Sequence, residues 1–221
     1  MSCRHFSGTA VSVYNCATVE VVGSEFTNNT SHGAHVDLPF RINAGGLSYS
    51  SHYDAPQSVN ASFRVKDCMF TNNSALQTAV NVTITDTTAR RRYSGRGGGI
   101  GAALGAIEEI HISVENCTFT RNTANALGGG LYIITLSNAT QHSYNIENCT
   151  FLENKANTGG GGLGLSLLFD EGTNRSNVVQ VKDSTFMRNK AENFGGGMYI
   201  LPGMFTEISS RHFCGCCSWW V

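Results

Sequence analysis

Val114-Glu-Asn-Cys-Thr-Phe119-Thr-Arg-Asn122-Thr-Ala124-Asn-Ala-Leu-Gly128-Gly-Gly-Leu-Tyr-Ile133 decides the fold, because its pattern returns on both sides of it. The segments Val21 to Phe26, Val65 to Phe70, Ile146 to Phe151 and Val181 to Phe186 align on the phenylalanine. Each is followed three residues later by Asn29, Asn73, Asn154 or Asn189, as Phe119 is by Asn122. A glycine cluster then opens an apolar run at Gly45-Gly46-Leu47, Gly97-Gly98-Gly99-Ile100, Gly128-Gly129-Gly130-Leu131, Gly160-Gly161-Gly162-Leu163 and Gly195-Gly196-Gly197-Met198. Self-similarity at such a period sets the architecture, since each copy can bury its apolar face only against its neighbours.

Parity inside each copy separates inward from outward positions. Val19 with Val21, Phe63 with Val65, Ile112 with Val114, Tyr144 with Ile146 and Val179 with Val181 alternate with polar residues, as half-buried strands do. A two-residue break follows, Val22-Gly23, Lys66-Asp67, Glu115-Asn116, Glu147-Asn148 or Lys182-Asp183. Its second member is always a type that accepts a left-handed backbone. Beyond the break, Cys68 with Phe70, Cys117 with Phe119, Cys149 with Phe151 and Ser184 with Phe186 turn inward. Stacked copies then predict a phenylalanine column and an asparagine amide ladder, with Ala75, Ala124, Ala156 and Ala191 fitting a tight corner. The expected fold is all-β: a right-handed parallel β-helix of about five to six coils, three strands each, with loop insertions. It spans residues 7–200 and leaves 201–221 as an irregular tail. The segment Ala79 to Thr85 alternates strongly enough to predict a strand inside its insertion.

Hydrophobic residues make up 41% of the 221 residues and charged residues 14%, with 25 Gly, which suits many short strands and argues against disorder. The formal charge of −1 supplies no field for nucleic acid, and no apolar run reaches the ~20 residues a membrane-spanning helix needs. The basic triplet Arg90-Arg91-Arg92 reads as a solvated loop, with a processing site as its minor reading. Asn-x-Ser/Thr sequons recur at Asn28, Asn29, Asn60, Asn72, Asn81, Asn116, Asn138, Asn148 and Asn174. Their density fits a glycosylated surface protein, although a repeat that needs Asn and Thr at its turns produces sequons without selection for sugar.

Phe119-x-x-Asn122-x-Ala124 followed by Gly128-Gly-Gly-Leu131 resembles the Phe-x-x-Asn and Gly-Gly-Ala-Ile repeats of polymorphic outer membrane proteins, and more broadly the pectin-lyase-like β-helices. The resemblance implies a right-handed parallel β-helix of the kind displayed at cell surfaces as adhesins. This chain departs from that pattern in its third glycine, its longer insertions and its inward cysteines.

Catalytic and ligand motifs are sparse. Ser31-His32-Gly33 and Arg41-Ile42-Asn43 resemble polygalacturonase motifs faintly, yet glycoside hydrolysis needs two flanking carboxylates, and Asp37 and Asp54 fall in different loops. Gly159-x-Gly161-x-x-Gly164 satisfies the dinucleotide fingerprint by letter, but the glycines recur in every copy and no helix pattern follows. His212 with Cys214, Cys216 and Cys217 could suggest a metal site at the C-terminal end. Cys68, Cys117 and Cys149 read as buried small residues, able to bridge to a neighbour in an oxidising compartment.

The sequence therefore predicts a non-enzymatic, secreted or cell-surface module, an adhesin or scaffold and a fragment of a longer protein. No catalytic residue, cofactor or metal is assigned. Surface glycans or proteins would meet it through the insertions Asn29 to Gly45, Ser50 to Ala61 and Asn73 to Gly97. The alternative is a carbohydrate-active β-helix enzyme, a polysaccharide lyase or glycoside hydrolase.

Overall fold

The computed structural model describes residues 10–14, 16–33, 42, 44–50, 60–77, 95–104, 109–135, 141–167, 176–201 and 206–211. Their elements are all strands, and they repeat rung by rung. The first rung is β1 (Val11–Tyr14), β2 (Thr18–Val22), β3 (Glu25–Thr27) and β4 (Thr30–Gly33). The second is β5 (Leu47–Ser50), β6 (Asn60–Lys66), β7 (Met69–Thr71) and β8 (Ser74–Gln77). The third is β9 (Ile100–Leu104), β10 (Glu109–Glu115), β11 (Thr118–Thr120) and β12 (Thr123–Ala124). The fourth is β13 (Leu131–Thr135), β14 (Gln141–Glu147), β15 (Thr150–Leu152) and β16 (Lys155–Ala156). The fifth is β17 (Leu163–Leu167), β18 (Ser176–Lys182), β19 (Thr185–Met187) and β20 (Lys190–Ala191), and β21 (Met198–Leu201) and β22 (Thr206–Arg211) begin a sixth.

Equivalent strands pair in parallel into four sheets, β1-β5-β9-β13-β17-β21, β2-β6-β10-β14-β18-β22, β3 to β19 and β4 to β20. This is a parallel β-helix solenoid. It carries a fourth strand per rung where the sequence predicts three. The extra strand is the Asn-x-Ala segment, expected to be a corner; Thr123 and Ala124 run extended and pair with Ser74 and Ala75 on one side and Lys155 and Ala156 on the other. Two residues are too few for alternation to reveal a strand. Pairing also continues past residue 200, since β22 lies in register along β18 in a region read from sequence as irregular. The strand expected at Ala79 to Thr85 lies outside the described residues.

The interior is built from columns of like residues. Phe26, Phe70, Phe119, Phe151 and Phe186 stack with ring centroids 4.8, 5.0, 4.8 and 4.6 Å apart and planes within 7° of parallel. Each ring contributes roughly 1.5–3 kcal/mol by burial. Leu47, Ile100, Leu131, Leu163 and Met198 form a facing column, and Val65, Val114, Ile146 and Val181 another.

Beside them runs the asparagine ladder. Asn73, Asn122 and Asn154 are fully buried. The Asn122 Oδ1 accepts from the backbone N–H and the Nδ2 of Asn73, both at 3.0 Å. Its own Nδ2 donates to Asn154 Oδ1 at 3.0 Å and to the Phe70 carbonyl at 2.8 Å. All four hydrogen-bonding opportunities of the amide are used, which is what a buried amide requires.

Two turns hold the rung's bends in left-handed backbone. Gly23, Asp67, Asn116, Asn148 and Asp183 occupy the first with φ between 46 and 58°, as their types lead one to expect. Asn28, Asn72, Arg121, Glu153 and Arg188 occupy the second at φ 53 to 58°, where arginine and glutamate carry no such preference. The glycine cluster has a different cause. A Cβ on Gly129 would lie 2.3 Å from the Gly161 carbonyl oxygen and 2.5 Å from that of Lys155, so backbone passes where a side chain would stand.

Unlike the other sheets, β5, β9, β13 and β17 are buried on both faces. Outside them Ile42, Ala103, Tyr132 and Ile134 form a second small core, with Leu127 packed against it. The Arg96 guanidinium stands 5.2 Å from the Tyr132 ring centre and donates to its hydroxyl at 3.0 Å, and that hydroxyl donates to Ser166 at 3.0 Å.

Two stability measurements test this account by denaturant unfolding. Gly129→Ala should destabilise by more than about 2 kcal/mol because the methyl meets fixed backbone, whereas Gly23→Asn, in open space at φ 58°, should stay within about 0.5 kcal/mol. Asn122→Ala should cost about 2–4 kcal/mol, because it strands the Asn73 N–H and removes the side-chain donor to the Phe70 carbonyl, while Asn154 Oδ1 keeps only the backbone N–H of residue 122.

Candidate functional site

Since inward positions are committed to stacking, chemistry is confined to the outer faces. The richest described face is that of β2, β6, β10, β14 and β18. Alternation exposes Glu20, Arg64 and His111, and in-register pairing sets each beside a residue one rung away. Arg64 Nη1 contacts Glu20 Oε1 at 3.1 Å and its Nη2 lies 3.6 Å from Glu115 Oε2. Ser113 donates to Glu115, and Asn145 Nδ2 donates to Glu147 at 3.2 Å. Pairs this exposed contribute under ~1 kcal/mol each, so the face is held by the core beneath it.

One constellation there has the form of a nucleophile, base and orienter. His111 Nε2 lies 3.1 Å from Glu109 Oε2, and its Nδ1 lies 2.8 Å from the Ser143 hydroxyl. With the ring neutral, Nε2–H donates to the carboxylate and the serine hydroxyl donates to Nδ1. Glu109 and His111 share a face because they are two residues apart on β10, and Ser143 is paired to His111 on β14. Acyl transfer needs more than these three, above all donors aimed at the developing oxyanion. The backbones of β10 and β14 are paired on both edges, so their N–H groups are committed to neighbouring carbonyls. The ring is itself about half exposed, at 55% of its side chain.

At the first turn the side chains form an outer ladder. Asn116 Nδ2 donates to Asp67 Oδ1 at 2.9 Å, and Asn148 Nδ2 to Asn116 Oδ1 at 2.8 Å. With Glu115, Glu147 and Asp183, the two asparagines line a shallow acidic trough. At the second turn, Glu153 receives Arg121 Nε at 3.0 Å and Arg188 Nη1 at 3.2 Å. The hydrogen bond from Arg121, then that from Arg188, holds its carboxyl below the usual glutamate range. Among the described residues no cluster of three or more His, Cys, Asp or Glu is placed to hold a metal ion, and no helix is long and apolar enough to cross a membrane.

The motifs singled out in the sequence are dispersed by the fold. His32 lies exposed on β4, whereas Arg41, Asp37 and Asp54 lie outside the described residues. Ile42, the centre of the Arg-Ile-Asn triplet, is buried in the small outer core. Gly159 and Gly161 are rung-packing glycines that lead into the strand β17, and Gly164 lies within it, paired with Tyr132 and Tyr199. His212, Cys214, Cys216 and Cys217 lie outside the described residues, as does most of each insertion loop. The Glu109, His111 and Ser143 set escaped the sequence reading. Its signal, Glu-x-His on a strand with serine at the equivalent position one repeat later, is legible only once the register is known.

Fold and faces define a parallel β-helix repeat protein. Residues 116–134, from the first turn through the asparagine ladder and the glycine cluster into β13, match the repeat of the Chlamydia polymorphic membrane proteins. No curated protein and no solved structure matches the chain.

The geometry at His111 makes a kinetic prediction. Ser143→Ala should leave the rate of p-nitrophenyl acetate hydrolysis within about twofold of the parent, because a paired hydroxyl without oxyanion donors gains little as a nucleophile. An initial-rate assay near pH 8 measures it, and a tenfold loss would assign the serine a reacting role.

Proposed function

We propose that this chain is a non-enzymatic module presented outside the cell, where the solenoid acts as a scaffold and its outer faces and insertion loops meet glycans or proteins. The observation that carries the reading is the match of residues 116–134 to a repeat of polymorphic membrane proteins, over the very residues that build a rung. Two features add support. Cys16 is disulfide-bonded, in keeping with an oxidising compartment. The sequon residues Asn28, Asn60, Asn72, Asn116 and Asn148 are solvent-exposed, as glycan acceptors must be.

Antibodies raised against the purified protein and applied to intact cells of the source organism test the location. Staining without permeabilisation, removed by external protease, is expected; staining only after permeabilisation would refute surface presentation. Incubation with a panel of polysaccharides tests the absence of catalysis. Retention without product is expected, while unsaturated or reducing-end products lost in His32→Ala or Arg41→Ala would establish the carbohydrate-active alternative.

A further inference from the structure

Cys68, Cys117 and Cys149 occupy the same inward position on successive rungs, each buried and each a free thiol. Register is fixed on both sides of them: Thr118 N–H donates to the Cys68 carbonyl at 3.0 Å, and Thr150 N–H to that of Cys117 at 2.9 Å. Serine fills the position at either end. The Ser24 N–H donates to Cys68 Sγ at 3.4 Å, and the Cys149 N–H to Ser184 Oγ at 3.1 Å. Each sulfur leans toward the carbonyl two residues before it, at 3.1 Å in Cys68 and Cys117 and 3.2 Å in Cys149, so all three point along one shared direction.

We infer that Cys117 and Cys149 form an inter-rung disulfide, a covalent staple across the middle of the solenoid, when the chain folds in the presence of a small-molecule disulfide. Adjacent parallel strands lie ~4.8 Å apart, inside the ~4.4–6.8 Å that Cα atoms of a disulfide span, whereas Cys68 and Cys149, two rungs apart at ~9.6 Å, cannot join. Both neighbours of Cys117 satisfy the backbone criterion. Cys149 is favoured because its sulfur leans further into the rung before it, 3.4 Å from the Val114 carbonyl of the Cys117 rung, whereas the Cys117 sulfur stands 3.7 Å from the Val65 carbonyl of the Cys68 rung. Contact with Cys149, followed by burial, also raises the Cys117 thiol above its ordinary pKa. Three thiols in one column allow one bridge, so Cys68 remains reduced.

In the forming step, the Cys117 thiolate attacks one sulfur of the oxidant and releases one small thiol, leaving a mixed disulfide. The Cys149 thiolate then attacks the Cys117 sulfur and expels the second. Two protons and two electrons leave the cysteines, and one oxidant disulfide becomes two thiols. The raised pKa of the Cys117 thiol slows the first attack in the folded core, which places the chemistry in the folding chain, before the column closes.

The test is to refold the reduced, denatured full chain in a glutathione redox buffer, alkylate it under denaturing conditions and digest it without reduction. Mass spectrometry should find the Cys117 and Cys149 peptides linked and Cys68 alkylated. Reductant should then lower the thermal midpoint by about 5 °C or more, and this fall should shrink in Cys117→Ser. That variant is suited to the comparison because serine already stands in the column at Ser24 and Ser184. Alkylation of both Cys117 and Cys149 after oxidative refolding overturns the proposal, as does a bridge from Cys117 to Cys68 or a fall of equal size in Cys117→Ser.

Discussion

The structure depends on in-register parallel stacking. Every side chain must be compatible with its own counterpart one strand spacing above and below, so each interior position is selected as a column. Flat rings satisfy this by stacking, as the five phenylalanines do with planes almost parallel. A charged residue placed in such a column would be buried without a partner, and none of the described inward positions carries an Asp, Glu, Lys or Arg.

The same constraint explains why polar residues survive inside. An amide has donors and an acceptor in one group, so a column of asparagines satisfies itself, with backbone N–H and carbonyl groups at the bend absorbing what remains. Thr135, Tyr144 and His142 solve the problem differently, as a local chain: the Tyr144 hydroxyl donates to Thr135 Oγ1 at 3.0 Å and stands 3.0 Å from His142 Nδ1. A ladder is extended by adding rungs, whereas a local chain is bespoke, and this one sits in a single rung. Glycine serves a third need, close approach of backbone to backbone, which removes the side chain altogether at Gly129.

Outward positions are released from stacking. Along the face of β6, β10, β14 and β18, the position of Arg64 becomes Ser113, Asn145 and Gln180 in the following rungs, while the inward neighbours stay apolar. A scaffold of this kind can change its surface without disturbing its core, which suits a module whose role is contact. It also scatters chemistry: Glu109 and His111 share a face by alternation on one strand and Ser143 joins them only by register, on a flat face whose backbone donors are already in use.

How much was legible follows from period. Inward parity, the phenylalanine column, the asparagine ladder and the first left-handed turn could be read from residues such as Phe119, Asn122 and Asn116, because each recurs at a fixed offset and each type has a physical reason to be there. The fourth strand at Thr123–Ala124 could not, since a two-residue element has no periodicity of its own and is defined only by what pairs with it. The second left-handed turn at Arg121, Glu153 and Arg188 was likewise hidden, because neighbouring hydrogen bonds hold that backbone where the residue types do not ask for it. Burial of the glycine strands on both faces had a local sign in unbroken apolar runs such as Leu131 to Ile134, but what covers the outer face did not, since Ile42 and Arg96 reach it from outside the repeat. The amino-acid sequence by itself determined the rung and what it buries, through recurrence and side-chain chemistry; tertiary structure alone decided which residues of different rungs become neighbours, because register is a property of the stack.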